Sequence, residues 1–501
     1  MAAGSGHRSR LDNHSPEAGM DVCVETSAII AVDLDGTLTP TDTLYESAVC
    51  LLRNNPANLL ALPFWLLQGK AVLKSKIADR ACLDVTTLPY NRHLIEWLQQ
   101  QRAAGRKIVL TSATDRRLAQ AVADHVGLFD VVLASDGTTN NKGVHKRAAL
   151  DARYGAEGYD YAGNSAADIA VWAGARQAIV VNASATLARR AARIAPVAKI
   201  FPPQAITLTH WRRVFRLHQW LKNLLLFVPL LAAHQAGNVG ALATLVLAFF
   251  AFSLCASAVY VANDILDLES DRKHPRKRLR PFASAAVPIK LGALLGPSLA
   301  AASMMLGTMV GSAFTRWLLF YFVLTCAYSL WLKRIALVDC LTLAALYTLR
   351  IVAGAAAVAI SLSFWLLAFS IFIFLSLAFV KRYAELRVQA SAGSGWAHGR
   401  GYAVSDVQFL QMLGVAASYA AVLVLALYLH GDTVATLYVQ PELIWFAVPL
   451  MLFWVSWVWM KAHRGEMHDD PIVFAAKDRA SLAVAALIAL CFVLADHGIG
   501  G

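Results

Sequence analysis

Asn263-Asp264-Ile265-Leu266-Asp267-Leu268-Glu269-Ser270-Asp271 closes an apolar run that begins near Leu242. If the helix carrying that run continues, Asn263, Asp267 and Asp271 fall at i, i+4 and i+8 with Asp264 beside them, and the four share one face. Carboxylates so placed repel one another and become tolerable when divalent cations sit between them. Oxygen donors suit Mg2+, which is usually held by a few carboxylates together with a substrate's phosphates. Arg272-Lys273-His274-Pro275-Arg276-Lys277-Arg278-Leu279-Arg280 follows at once. An anionic stretch backed by a cationic one describes a diphosphate site, with metal on one side and guanidinium and ammonium groups on the other. A polar helix end would explain either half alone. The N-D-x-x-D-x-x-x-D spacing with R-K-x-x-R-K-R-x-R-P behind it favours the functional reading.

Outward from this stretch, 57% apolar residues, 16% charged residues and a mean hydropathy of +0.51 indicate a membrane protein. The apolarity is uneven. Residues 1 to about 210 alternate charged and apolar segments, whereas 217–497 is a series of apolar blocks. The net charge of +12 is not a nucleic-acid signature, because no aromatic-interleaved basic patch or zinc spacing accompanies it. Cys23, Cys50, Cys82, Cys255, Cys326, Cys340 and Cys491 include no C-x-x-C pair and read as reduced packing residues.

Residues 1–26 are polar, resemble no secretion signal and are expected to be disordered. A strand, Ala28-Ile29-Ile30-Ala31-Val32, then leads into Asp33-Leu34-Asp35-Gly36-Thr37-Leu38-Thr39. A second, Lys107-Ile108-Val109-Leu110, ends in Thr111-Ser112-Ala113-Thr114. Lys142-Gly143 precedes a helix, and Tyr161-Ala162-Gly163-Asn164-Ser165-Ala166-Ala167-Asp168 follows a short strand. Open α/β sheets bind ligands at the carboxyl ends of their strands, where these polar groups gather.

This order resembles the haloacid dehalogenase superfamily of phosphatases and implies a Rossmann-like α/β domain over 27–200 with a small helical cap at about 42–90. The resemblance makes Asp33 the phosphoryl-accepting nucleophile and Asp35 the acid/base. It assigns Ser112 and Lys142 to the phosphoryl oxygens and Asp168 to Mg2+, which Asp33 and Asp35 also face. Asn164 stands where the superfamily usually has Asp; an amide still offers an oxygen but removes a negative charge, so an active phosphatase and a vestigial or regulatory domain both stay open. Within the cap, Leu59-Leu60-Ala61-Leu62-Pro63-Phe64-Trp65-Leu66-Leu67 is too short to cross about 30 Å of hydrocarbon. Lys70, Lys74, Lys76 and Arg80 follow it. A helix packed on its own domain and a helix lying on an anionic leaflet fit equally well.

A linker at 201–215 introduces an all-α membrane domain over 216–497. Apolar runs predict nine helices, near 221–236, 241–263, 287–311, 316–333, 336–359, 363–380, 408–429, 442–461 and 480–497. Lysine and arginine collect in alternate loops, so the positive-inside rule predicts a multi-pass protein of the inner cell membrane with its N-terminal domain and Asp-rich loop cytoplasmic. Polar groups in and beside the spans need partners. His218-Gln219-Trp220-Leu221-Lys222-Asn223, Tyr328-Ser329 with Lys333, Asp339, Arg350, Lys381-Arg382-Tyr383-Ala384-Glu385, and Asp469-Asp470 all fall toward that side.

Nine helices with N-D-x-x-D-x-x-x-D after the second resemble the UbiA superfamily of membrane transferases. Aromatic prenyltransferases of that family carry a second D-x-x-x-D after the sixth helix, where this chain has Lys381-Arg382-Tyr383-Ala384-Glu385-Leu386. With R-L-H-Q-W-L-K-N (216–223) and Y-S-x-x-L-K-R-x-x-L-V-D (328–339), it is most similar to the branch that makes decaprenylphosphoryl-5-phosphoribose from phosphoribosyl diphosphate and a polyprenyl phosphate. The resemblance implies Mg2+ on Asp264, Asp267 and Asp271. It also implies substrate contacts from Lys222, Asn263, Arg278, Tyr328, Lys333, Lys381, Arg382, Tyr383 and Glu385. The alternatives are transfer of a prenyl group from a prenyl diphosphate to an aromatic or other acceptor and, in another class, a transporter or scaffold.

Overall fold

The computed structural model of the protein describes residues 29–81, 83–136, 141–391, 400–431, 438–467 and 470–497. The expected disorder of 1–26, the start of the first strand, Cys23, Cys82 and Asp469 lie outside the described residues. The chain divides into two compact units. One comprises Met1–Leu44, Leu60–Arg80 and Tyr90–Pro203, and the other Tyr45–Leu59, Ala81–Pro89 and Gln204–Gly501. Part of the segment read as a cap, 45–59 and 81–89, thus groups with the membrane helices.

The first unit is built on six parallel strands: β1 (Ile29–Asp33), β2 (Ile108–Asp115), β3 (Val131–Ser135), β4 (Tyr159–Gly163), β5 (Gln177–Val181) and β6 (Val197–Phe201). Their order is β3-β2-β1-β4-β5-β6. Every residue of β1 and β4 is buried, as expected of central strands covered on both faces. Chain order reverses at β1, which pairs with β2 on one side and β4 on the other. Asp33 lies opposite Thr111, and Val32 opposite Ala162, so the three polar strand ends stand side by side at this switch point. Two helices form a hairpin, α1 (Leu62–Leu67) and α2 (Lys70–Arg80). Pro63 opens α1, and Gly69, at φ +110°, makes the turn into α2. Helix α3 (Val144–Tyr154) lies between β3 and β4 in the chain and buries Lys146 and Leu150.

In the second unit, eight helices among the described residues are long and apolar enough to cross a membrane: α4 (Val239–Leu266), α5 (Ile289–Val310), α6 (Ser312–Leu330), α7 (Val338–Ala357), α8 (Phe364–Ala390), α9 (Val404–Leu429), α10 (Pro441–His463) and α11 (Arg479–Asp496). The first of the nine expected spans is not one helix. Leu217–Phe227 is a 3-10 helix followed by a five-residue α-helix, Val228–Ala232. Pro229 has no N–H for an α-helical bond and its ring clashes with the preceding turn, so it is accommodated at the start of the new helix. The helix of the sixth expected span outruns its apolar stretch. Helix α8 continues to Ala390, so Lys381, Arg382, Tyr383 and Glu385 stand on its final turns and not in a loop.

Candidate active sites

In the first unit, Asp33 ends β1 and is buried. Lys146 of α3 donates to its Oδ1 at 2.6 Å and to Tyr161 Oη at 3.1 Å. Tyr161 Oη in turn donates to Asp168 Oδ1 at 2.7 Å. Burial pushes the Asp33 carboxyl up to about 7; Lys146 pulls the other way, and Asp168 and Asp35 add to the rise. Asp35 is fixed by neutral donors: Thr43 N and Oγ1 at 2.8 Å each, and Thr114 Oγ1 at 2.7 Å. Ser112 is buried and its Oγ accepts from Thr114 N at 3.0 Å. Gly36 turns the loop at φ +78°, and a Cβ there would collide with the Asn164 amide, so Asn164 lies directly against this loop.

Two expectations shift here. The lysine brought to Asp33 is Lys146; Lys142 is exposed. Asp168 is turned to its own loop, where Oδ2 accepts from Asn164 N at 3.1 Å and from Ser165 N and Oγ at 2.8 Å each. Lys74, on α2, donates to Ala113 O at 2.8 Å, next to Ser112. Burial lowers its pKa, and Asp35 and Asp42 oppose that shift. Reading Lys74 only as one of a basic group hid this aim.

In the second unit, α4 ends at Leu266 and a short helix, Leu268–Lys273, begins after Asp267, so the stripe is broken where a continuous helix was expected. Asp264 and Asp271 are both buried. Arg216 pairs with Asp264, and Arg280 Nη1 lies 3.1 Å from Asp264 and 2.6 Å from Asp271. Burial raises the Asp271 pKa, and Arg280 counters it. Asp267 is more exposed and has Lys333 Nζ at 3.9 Å. Asn263 donates to Ser329 Oγ at 2.9 Å. Beside Ser329, Tyr328 Oη donates to Asp339 at 2.7 Å; Arg382 pairs with Asp339 and with Glu385, and Arg400 reaches Asp339 at 3.2 Å. Beside Arg382, Lys381 Nζ meets Asp470 at 3.1 Å, as do Lys222 Nζ at 2.8 Å and Tyr347 Oη at 3.1 Å. Beside Lys222, Asn223 accepts from Arg350 Nε at 2.9 Å. Sequence neighbours therefore link four ionic clusters into one polar seam between apolar helices.

Residues 224–481 match the model of the UbiA prenyltransferase family, and residues 30–172 that of the haloacid dehalogenase-like hydrolases. The chain belongs to the UbiA prenyltransferase family. It is a multi-pass membrane protein whose N-terminal domain is haloacid dehalogenase-like. An uncharacterized protein, y4nM, of Sinorhizobium fredii is 35% identical over 94% of this chain and 92% of its own. Nodulation protein NoeC of Azorhizobium caulinodans is 38% identical over 56% of this chain and 90% of its own. Decaprenyl-phosphate phosphoribosyltransferase of Mycobacterium tuberculosis is 36% identical over 36% of this chain and 62% of its own.

The UbiA seam gathers most of the expected residues but sorts them differently. Arg278 is exposed, and Arg280, two residues on, holds the carboxylates. Tyr383 is buried against His463, with Oη 3.0 Å from Nδ1, and takes no part in the ionic clusters. Asp339, Asp470, Arg216, Arg350 and Arg400 enter the seam as partners that spacing alone did not assign. Among the described residues, no group of three or more His, Cys, Asp or Glu side chains is placed to hold a metal ion. Asp264 and Asp271 nonetheless converge on one cationic nitrogen. Their donor set fits a hard cation held by two carboxylates and completed by substrate phosphates. At the first site, Asp33 and the Asn164 amide offer oxygens, while Asp168 is committed to its loop.

Proposed function

We propose that the UbiA domain moves 5-phosphoribose from phosphoribosyl diphosphate to a polyprenyl phosphate, releasing pyrophosphate, and that the haloacid dehalogenase-like domain then removes the 5-phosphate. The observation that carries this reading is the seam's surplus of positive charge. Lys222 and Lys381 share the single carboxylate of Asp470. Arg350 is buried and, among the described residues, meets only neutral acceptors: Asn223, Tyr321 Oη at 2.9 Å and the Leu346 carbonyl. Buried cations in excess of carboxylates suit a site that receives further phosphates, on the sugar and on the lipid. The partial likeness to the phosphoribosyltransferase supports the same donor and acceptor.

In this reading Asp264 and Asp271, with Asp267 at the rim, would hold Mg2+, whose charge offsets that of the departing pyrophosphate. Lys333, Lys381 and Lys222 bind phosphate oxygens and orient the lipid phosphate toward the sugar carbon. In the N-terminal domain, an Asp33 oxygen forms a bond to phosphorus as the bond to the sugar 5-oxygen breaks, and that oxygen takes a proton from Asp35. Water then hydrolyses the aspartyl phosphate. Lys146 holds Asp33 in place. The lysine- and arginine-rich loops support a cytoplasmic location for both sites.

Family membership keeps a second reading in view, transfer from a prenyl diphosphate to an aromatic or other acceptor. One comparison separates them. The purified chain is incubated with Mg2+ and either phosphoribosyl diphosphate plus decaprenyl phosphate, or a prenyl diphosphate plus an aromatic acid. Pyrophosphate release in the first mixture alone is expected; release in the second alone overturns the proposal.

A further inference from the structure

The hairpin α1–α2 has two unlike faces. Inward, Trp65 and Ile77 are buried, and Lys74 reaches the Ala113 carbonyl beside the phosphatase site. Outward, Leu60, Phe64, Leu66 and Leu67 are 75%, 67%, 51% and 86% exposed. Four large apolar side chains within eight residues make a patch too concentrated to be the ordinary scatter of surface leucines. The chain then turns at Gly69 into a helix that holds four basic residues, Lys70, Lys74, Lys76 and Arg80, against one acidic residue, Asp79. An apolar face bordered by cations is the composition of an element that lies in a bilayer interface. It is too short to span one.

We infer that this hairpin docks on the lipid surface, with Leu60, Phe64 and Leu67 among the acyl chains and Lys76 and Arg80 at anionic headgroups. Two further facts select a bilayer over a protein partner. Among the described residues the same chain has eight helices long and apolar enough to cross a membrane, so a bilayer is always tethered to it. The residues on either side of the hairpin, 45–59 and 81–89, belong to the same unit as those helices. There Glu46 pairs with Arg272, Arg53 with Glu269 and Asp84 with Lys273. The segments that flank the hairpin in sequence thus group with the membrane helices, and its own Lys74 reaches the Ala113 carbonyl of the α/β unit. Resting on the proposed reading, this makes the phosphatase selective for phosphate esters borne on lipids.

The test uses the full chain in nanodiscs of phosphatidylcholine with or without phosphatidylglycerol. An environment-sensitive fluorophore is placed at Leu67→Cys or Phe64→Cys, with Arg116→Cys as an exposed control, and each signal is read above that of the identically labelled parent. Labels at 64 and 67 are expected to be quenched by doxyl-labelled lipid and shielded from iodide, more so with phosphatidylglycerol, and the control to behave oppositely. Accessibility to iodide without lipid quenching overturns docking. Shielding from both quenchers means that a protein surface covers the face, and overturns it equally. This arm needs no substrate, so it stands even if the phosphatase reading fails. In a second arm, F64E/L67E is expected to lower kcat/KM about tenfold toward the lipid-linked phosphosugar and to leave p-nitrophenyl phosphate hydrolysis within about twofold. Equal loss on both substrates, or on neither, overturns the selectivity.

Discussion

At the tip of β1, Asp35 is wrapped by two threonines and Asp33 meets one lysine, whereas at the end of α4 Asp264 and Asp271 are held by arginines from two separate segments. The first arrangement fixes geometry with neutral hydroxyls and keeps little net counter-charge. The second sits among apolar helices, where an unpaired carboxylate costs several kcal/mol, on the order of 3–5 when one partner of a buried pair is removed. On the proposed reading, a cation and a diphosphate entering the membrane site must therefore exchange with Arg216 and Arg280, while a phosphate entering the α/β site meets groups already in place. The two sites should fail independently and respond differently to loss of one charge.

The largest effect is expected from breaking the membrane half. Asp264→Ala removes the carboxylate shared by two arginines, and transfer, measured as pyrophosphate release, should fall by at least about a hundredfold. Hydrolysis of p-nitrophenyl phosphate by the same protein should stay within about twofold. Transfer near that of the parent would sink the assignment of this site.

The mirror experiment breaks the soluble half. Asp33→Asn should remove phosphatase activity by about a thousandfold while transfer continues, so mass spectrometry of the lipid product should find the 5-phosphate retained. Lys146→Met should cost about a hundredfold, whereas Lys142→Met should cost less than about threefold, because only Lys146 touches Asp33. A reversed order between the lysines would show that Lys142 moves onto the substrate.

That pair of lysines marks where sequence stopped being sufficient. The α/β unit and the membrane unit were legible because D-x-D-G-T-L follows a β-rich run and because apolar blocks repeat at spanning length. Lys-Gly before a helix drew attention to Lys142, but one further helical turn carries Lys146 back to Asp33. Arg278 gives way in the same manner to Arg280, two residues on, which meets Asp264 and Asp271. Asp470 was beyond any spacing rule: it stands 248 residues from Lys222 and 89 from Lys381. Only folding brings such partners together. The first span is short and contains Pro229, and there the apolar run does not tell how the backbone divides: a 3-10 helix ends at Phe227 and a new helix starts with the proline in its first turn.

A subtler break is expected at Lys381. Its partner Asp470 is shared with Lys222, so Lys381→Ala leaves one ion pair intact and should raise KM for phosphoribosyl diphosphate or for the lipid phosphate about tenfold, with a smaller change in kcat. Kinetics indistinguishable from the parent would make Lys381 a structural counter-ion to Asp470.

The smallest effect concerns the charge missing at Asn164. The folded domain holds the Asp33 proton more tightly than an ordinary carboxylate, with a value of about 7 against 3.8. The stability that protonation contributes is complete below about 3.8 and is lost as pH rises through about 7. The nucleophile is needed ionised, so the phosphatase rate at low Mg2+ should climb as pH passes about 7. Asn164→Asp sets another carboxylate against the Gly36 loop. Without a cation, like-charge repulsion should move that arm to higher pH. With Mg2+ the added charge favours the ion, so the arm should move back down and half-maximal activity should need roughly three- to tenfold less Mg2+. The opposite signs of the two shifts are the discriminating result, since a substitution that merely loosened the loop would weaken activity at every Mg2+ concentration. If Asn164→Asp moves neither the pH arm nor the Mg2+ requirement, residue 164 lies outside the cation's reach, and the soluble site works with fewer charged oxygens than the superfamily's usual set.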